Sequence, residues 1–154
     1  MDISYCEKWW ISEKKPIRPM DGKSACLRHD KRQPYTAIIS ENEKPKFIIN
    51  CTGKWVSVSF LDNIFRKYLQ YDFKEVRENK LFLNTAMYWE YEGDTDKETS
   101  NMIYRFQEDG HTLMEKRDLL ALVVEERQVV DRVDGNWEDY PQFGQYIYLC
   151  KEER

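Results

Sequence analysis

The segment Trp55–Phe60, WVSVSF, constrains the fold more than any other stretch: Val56, Val58 and Phe60 alternate with Trp55, Ser57 and Ser59. A period of two puts successive side chains on opposite faces of an extended chain, so this segment reads as a half-buried strand. Its neighbours carry the same signals. Pro34–Ser40 (PYTAIIS) and Lys46–Cys51 (KFIINC) are short and β-rich, and the turn signals ENEKP and Thr52-Gly53 set them off from each other and from Trp55. Ser24–Asp30 (SACLRHD) is read as a further strand.

Beyond Phe60, the residues Leu61, Ile64, Phe65, Tyr68 and Leu69 fall at helical spacing, whereas Phe65, Leu69, Tyr71 and Phe73 share one face of a strand. The expectation is a helical turn near 61–65 leading into a hairpin of roughly 67–76 and 80–91. After the acidic loop Glu92–Ser100 (EGDTDKETS), Met102–Phe106 and His111–Lys116 flank Glu108-Asp109-Gly110, with glycine available for a left-handed turn position. Leu119–Asp131 reads as a broken strand or a short helix, Val133–Gly135 as a turn, and Gln145–Lys151 as the closing strand. Eight or nine strands are expected, in a mainly β antiparallel meander that closes into a barrel or a strongly curved sheet with one or two short helices, and with α+β as the alternative. At 154 residues the chain is expected to be one domain.

Charge narrows the function. Residues 1–54 hold 11 Lys+Arg against 7 Asp+Glu, while residues 55–154 hold 13 against 21, a balance of −8. Such a field repels phosphate backbones and attracts basic proteins. No run of 18 apolar residues is present, so no membrane-spanning helix is expected, and MDISYCEKWW lacks the pattern of a secretory leader. The cysteines, Cys6, Cys26, Cys51 and Cys150, have no CxxC spacing and are read as reduced thiols of a cytoplasmic protein.

Chemical motifs are missing. Read on a strand, Cys26 and His29 point to opposite faces, which suits neither zinc nor a Cys–His nucleophile. Asp94 and Asp96 lack the spacing of a calcium loop, Glu125 and Glu126 face opposite ways on a strand, and no phosphate-cradling glycine loop occurs. No catalytic residue, metal site or cofactor is expected. The aromatic run NWEDYPQFGQYIYLC (Asn136–Cys150) puts Tyr146 and Tyr148 on one face and Ile147 and Leu149 on the other, if it is a strand, and reads as the plug at the end of the sheet with a protein-binding rim at Trp137 and Tyr140.

The segments VSVSFLDNIFRKYLQYDFKE (Val56–Glu75) and NWEDYPQFGQYIYL (Asn136–Leu149), about a fifth of the chain, give it the look of the immunity proteins of contact-dependent growth inhibition and polymorphic toxin systems. The resemblance implies a cytoplasmic protein that neutralises a co-encoded toxin, commonly a nuclease, by covering its active site. The expected partner-binding residues are Glu92, Asp94, Asp96, Glu138 and Asp139 as electrostatic contacts and Trp137 and Tyr140 as anchors, with a basic toxin surface as partner and neither nucleic acid nor membrane. The same strands also resemble calycin-type barrels, with Thr52-Gly53-Lys54-Trp55 approximating the lipocalin Gly-x-Trp motif; that alternative predicts an apolar cavity lined by Phe73, Met87 and Tyr146. A single-strand nucleic-acid module is a third reading, opposed by the −8 balance of residues 55–154.

Overall fold

The alternation at Trp55–Phe60 becomes the central strand of an 11-stranded antiparallel sheet in a computed structural model that describes residues 1–154. A meander runs through β3 (Tyr35–Glu41), β4 (Lys44–Thr52), β5 (Trp55–Leu61), β6 (Lys67–Arg77), β7 (Lys80–Tyr91), β8 (Glu98–Phe106), β9 (His111–Asp118) and β10 (Val123–Val130). Cross-strand register aligns Ile49, Val58 and Tyr71 in one row, all buried. The hairpin expected at 67–76 and 80–91 is β6–β7. The helical turn expected near 61–65 is absent: Leu61 ends β5 and residues 62–65 form a turn, in which Asp62 Oδ1 accepts from the backbone N–H of Ile64 at 3.0 Å and of Arg66 at 2.9 Å.

Two strands precede this meander that sequence patterning did not supply. β1 (Asp2–Trp10) pairs with β2 (Lys15–Met20) on one side and with β3 on the other. β2, KPIRPM, holds Pro16 and Pro19 and a left-handed Arg18 (φ 49°), a composition tolerated only at a sheet edge. Between β2 and β3, the segment expected as a strand at Ser24–Asp30 is instead the helix α1 (Gly22–Asp30). Its start is set by Asp21, whose carboxylate accepts from the Ser24 N–H at 2.7 Å. Arg28 lies in its last turn, where a cation favours the helix dipole, and its buried residue is Ala25, pressed on the core.

The C-terminal segment also departs from expectation. Gln145–Lys151 is not a closing strand; Ile147–Leu149 is a 3₁₀ turn, so Tyr146 and Leu149, three residues apart, both point inward while Ile147 is exposed. Tyr146 and Tyr148 therefore do not share a strand face. Residues 134–154 form a strap across one face of the sheet. A 3₁₀ turn at Asp134–Asn136 and the short β11 (Trp137–Asp139), paired to β7, fix its start, with Asn136 Nδ2 donating to the Leu83 carbonyl at 2.9 Å. Arg154 anchors its end, 4.7 Å over the Phe73 ring and 2.8 Å from Glu138 Oε1.

The covered face holds the main core of 17 buried residues, including Ile49, Val58, Phe60, Tyr71, Phe73 and Tyr146. The other face is mostly polar, with Thr36 bonded to Asn50 and Ser57 to Asp72 across strands, beside a small apolar group of Cys6, Ile38, Ile48 and Leu61. The sheet is mainly β and strongly curved but does not close into a barrel; its free edges are β2 and β10. The residues expected to line a barrel cavity do not share one space: Phe73 and Tyr146 are sealed in the core, whereas Met87, next to inward Ala86, lies on the opposite face. The curvature is large enough that Lys14, in the β1–β2 turn, reaches Asp96 of the β7–β8 loop at 3.0 Å, with four strands between their hairpins.

Candidate partner-binding surface

The acidic loop after β7 is short, exposed and held in place from below. Arg66 does most of this: its Nη1 donates to the carbonyls of Gly93 at 2.7 Å and Thr95 at 2.8 Å, and its guanidinium lies 4.7 Å over Tyr91. Asp62 in turn fixes Arg66, accepting from its Nε at 2.8 Å. Burial works against the Asp62 charge, but the hydrogen bonds from Arg66 and Ile64 outweigh it and keep the carboxyl below its usual range. Thr95 Oγ1 closes the loop on the Glu92 carbonyl at 2.6 Å.

This clamped loop and the adjoining strand ends present Glu90, Glu92, Asp94, Asp96 and Glu98, all exposed. Lys97 pairs with Glu92 at 3.2 Å and Lys14 with Asp96, so Glu90, Asp94 and Glu98 remain without an ion-pair partner. Facing them is the β1–β2 turn, where Trp10 is 44% and Ile11 58% exposed. A groove of about 570 Å³ separates the two, lined by Trp9, Ile17, Phe65, Lys67 and Tyr91. Burial depresses the Lys67 ammonium, which lies 4.5 Å over Trp89 and donates to Gln70 Oε1 at 2.8 Å. Burial likewise pushes the Tyr91 hydroxyl up to about 12. Asp96 and Glu98 line the groove beside Lys8, Lys14, Arg66 and Lys67, while Glu92 and Asp94 lie on the loop beyond it. The exposed rings together with the unpaired carboxylates of the loop and its strand ends suit a basic protein segment carrying an apolar side chain.

The seven residues expected to bind a partner do not form one patch. Glu92, Asp94 and Asp96 sit at one end of β7; Trp137, Glu138, Asp139 and Tyr140 sit at the other, roughly 35 Å away along a strand rising ~3.3 Å per residue. The second group is also engaged within the fold. Glu138 is neutralised by Arg154 at 2.8 Å and Lys151 at 3.2 Å, and Asp139 pairs with Lys80. Trp137 packs on Phe82 with ring centroids 4.9 Å apart. Tyr140 donates to the Gly53 carbonyl at 3.1 Å and lies 3.5 Å beneath the Arg32 guanidinium, a structural role that its place in the strap explains.

Sequence patterning missed Trp10, Ile11, Glu90 and Glu98. The available signal was the turn Ser12-Glu13-Lys14-Lys15 between Trp9-Trp10 and Ile17, which marks a hairpin once the prolines are read as edge residues.

Elsewhere, Cys26 and His29 lie on a helix rather than a strand, so the opposed geometry expected for them does not hold. His29 turns into the strap, its Nδ1 2.8 Å from the Tyr35 hydroxyl, and burial lowers its pKa. No three His, Cys, Asp or Glu side chains gather at metal-binding distance. All four cysteines are unbridged, and burial pushes Cys6 and Cys51 up to about 11 and Cys150 up to about 12. Those three thiols stay protonated at neutral pH. No helix is long and apolar enough to cross a membrane. Compared against protein families, curated proteins and solved structures, the chain matches none.

Proposed function

We propose that the protein acts by binding rather than by catalysis: it neutralises a basic partner protein, in the manner of an immunity protein with its toxin, through the groove between the β1–β2 turn and the β7–β8 loop. The observation that carries this reading is the juxtaposition of exposed Trp10 and Ile11 with the exposed carboxylates of the clamped loop and its strand ends, of which Asp96 and Glu98 line the groove itself. Carboxylates near an apolar anchor divide the work of recognition. The charges steer a basic surface into place, and the rings supply burial once it has docked. The Arg66 clamp matters because a loop already ordered loses little entropy on binding.

A nuclease is the partner class that the resemblance implies, since its substrate-binding surface is basic, and covering that surface blocks its active site. The reading is tested by co-expressing the chain with the product of the adjacent upstream reading frame. A stable one-to-one complex that abolishes a toxic activity supports it. A toxic neighbour left fully active, with no complex formed, overturns it.

A further inference from the structure

The two edges of the sheet are built differently. β2 carries Pro16 and Pro19, which have no N–H to offer, and a left-handed Arg18, so it cannot template another strand over its length. β10, VVEERQVV, is exposed at every residue and holds no proline. Seven of the 16 large apolar side chains exposed on the whole surface fall within Leu119–Val130: Leu119, Leu120 and Leu122 in the β9–β10 turn, then Val123, Val124, Val129 and Val130. The Asp131 N–H donates inward to the Gly110 carbonyl at 2.8 Å, and antiparallel alternation then directs the N–H and C=O groups of Val124, Glu126, Gln128 and Val130 outward.

We infer that β10 pairs antiparallel with β10 of a second copy of this chain, making a symmetric dimer with one continuous sheet. A two-fold axis perpendicular to a sheet keeps each face continuous, so it pairs residues of like parity about a central residue. Centred on Glu126, it sets Glu125 opposite the second copy's Arg127 and Val123 opposite the second copy's Val129, each contact occurring twice. These fall at the closer, non-hydrogen-bonded positions, where cross-strand pairs interact most strongly. On the other face Leu122 meets Val130, and Val124 meets Gln128. Centring on Arg127 instead opposes Arg127 to itself and Val123 to Asp131, so the charges select the first register. The one like-charge contact in that register is Glu126 with its own copy.

A single eight-residue strand pair falls short of the ~1,600 Å² of a standard interface, so the dimer is expected to be weak and concentration-dependent. Sedimentation velocity of the purified full chain, from micromolar to near-millimolar concentration, provides the test. The expected result is a reversible monomer–dimer equilibrium that Arg127→Glu weakens about tenfold, that the swap Glu125→Arg with Arg127→Glu restores, and that Glu126→Gln tightens. Val124→Pro, which removes an outward N–H, abolishes it while circular dichroism stays unchanged. A chain that is monomeric throughout, or a dimer indifferent to Arg127→Glu and Val124→Pro, overturns the inference. So does an edge that stays unpaired alone and becomes protected from hydrogen exchange only with a different protein.

Discussion

The hydroxyl of Tyr35 lies 2.9 Å from that of Tyr146, 111 residues further along the chain, and both rings are about 1% exposed. Tyr35 also meets His29 Nδ1 at 2.8 Å, so helix, strand and strap converge on one buried polar chain. A buried hydroxyl without a partner costs roughly 1–3 kcal/mol, whereas removing both partners is nearly neutral. Tyr146→Phe should therefore destabilise by about 1 kcal/mol, because Tyr35 keeps His29 as a second partner. A double-mutant cycle with Tyr35→Phe in urea unfolding should give a coupling of similar size.

His29 makes stability depend on mildly acid pH. Burial lowers its folded pKa below the ordinary histidine value of about 6.5, so the unfolded chain takes up a proton that the folded one refuses. That contribution is present above about 6.5 and is lost as pH falls from there toward the lower folded value. Glu7, Asp21, Glu41, Asp62 and Asp109, all lowered by hydrogen bonds or ion pairs, lose theirs only as pH falls through the carboxylate range. Melting temperature should accordingly begin to drop below about pH 6.5, and His29→Gln should flatten that first segment while leaving the more acidic one intact.

Arg32 ties the end of α1 to the rest of the molecule. It pairs with Glu75 through both guanidinium nitrogens at 3.2 Å and stacks on Tyr140 at 3.5 Å. A lysine keeps the charge but loses the planar fork and the stacking. Arg32→Ala should cost about 1–2 kcal/mol, with the side chain's partial exposure holding the value down, and Arg32→Lys should recover less than half of it in denaturant titration.

Gly110, with φ 96°, closes the β8–β9 hairpin where its hydrogen-bonded partner Asp131 passes close by. A Cβ added there would stand 2.5 Å from the Asp131 carbonyl oxygen, which is backbone and cannot swing away. Gly110→Ala should destabilise by about 1–3 kcal/mol, and amide exchange should quicken most at β10, whose last residues lean on this contact.

What was legible in the sequence follows from the strength of local signals. β5 alternates apolar and polar residues, and β3, β4 and β6 to β9 are β-rich runs set off by turn residues; all appear close to where those signals place them. Leu119–Asp131 was ambiguous because β10 packs against nothing on either face, so burial never shaped its composition. SACLRHD looked like a strand because its apolar residues are few; the informative feature was Asp21, a capping residue just before the segment. The strap was misread because Tyr146 and Leu149 follow a three-residue spacing within a run dense enough in aromatics to fit a period of two. The acidic half of the groove could be read from EGDTDKE. Its apolar half could not, since Trp10 and Ile11 come within reach only through the curl of the sheet that brings Lys14 to Asp96.

Salt and charge test the groove next. Reversing Asp94 to Lys removes an unpaired carboxylate without breaking a contact of the fold, while Trp10→Ala removes an exposed ring. Each should weaken partner binding about tenfold or more with melting temperature nearly unchanged, and the Asp94→Lys loss should shrink at high ionic strength. Asp139→Lys, at the other end of β7, should leave affinity within about twofold of wild type.

The most direct test is amide hydrogen exchange on the complex with the proposed partner, the product of the adjacent upstream reading frame. The account predicts new protection at residues 8–14 and 90–98, flanking the groove, with residues 137–140 unchanged because they are already held within the fold. Protection confined to 137–140, or to the β10 edge, with the groove exchanging as freely as in the isolated chain, would contradict it.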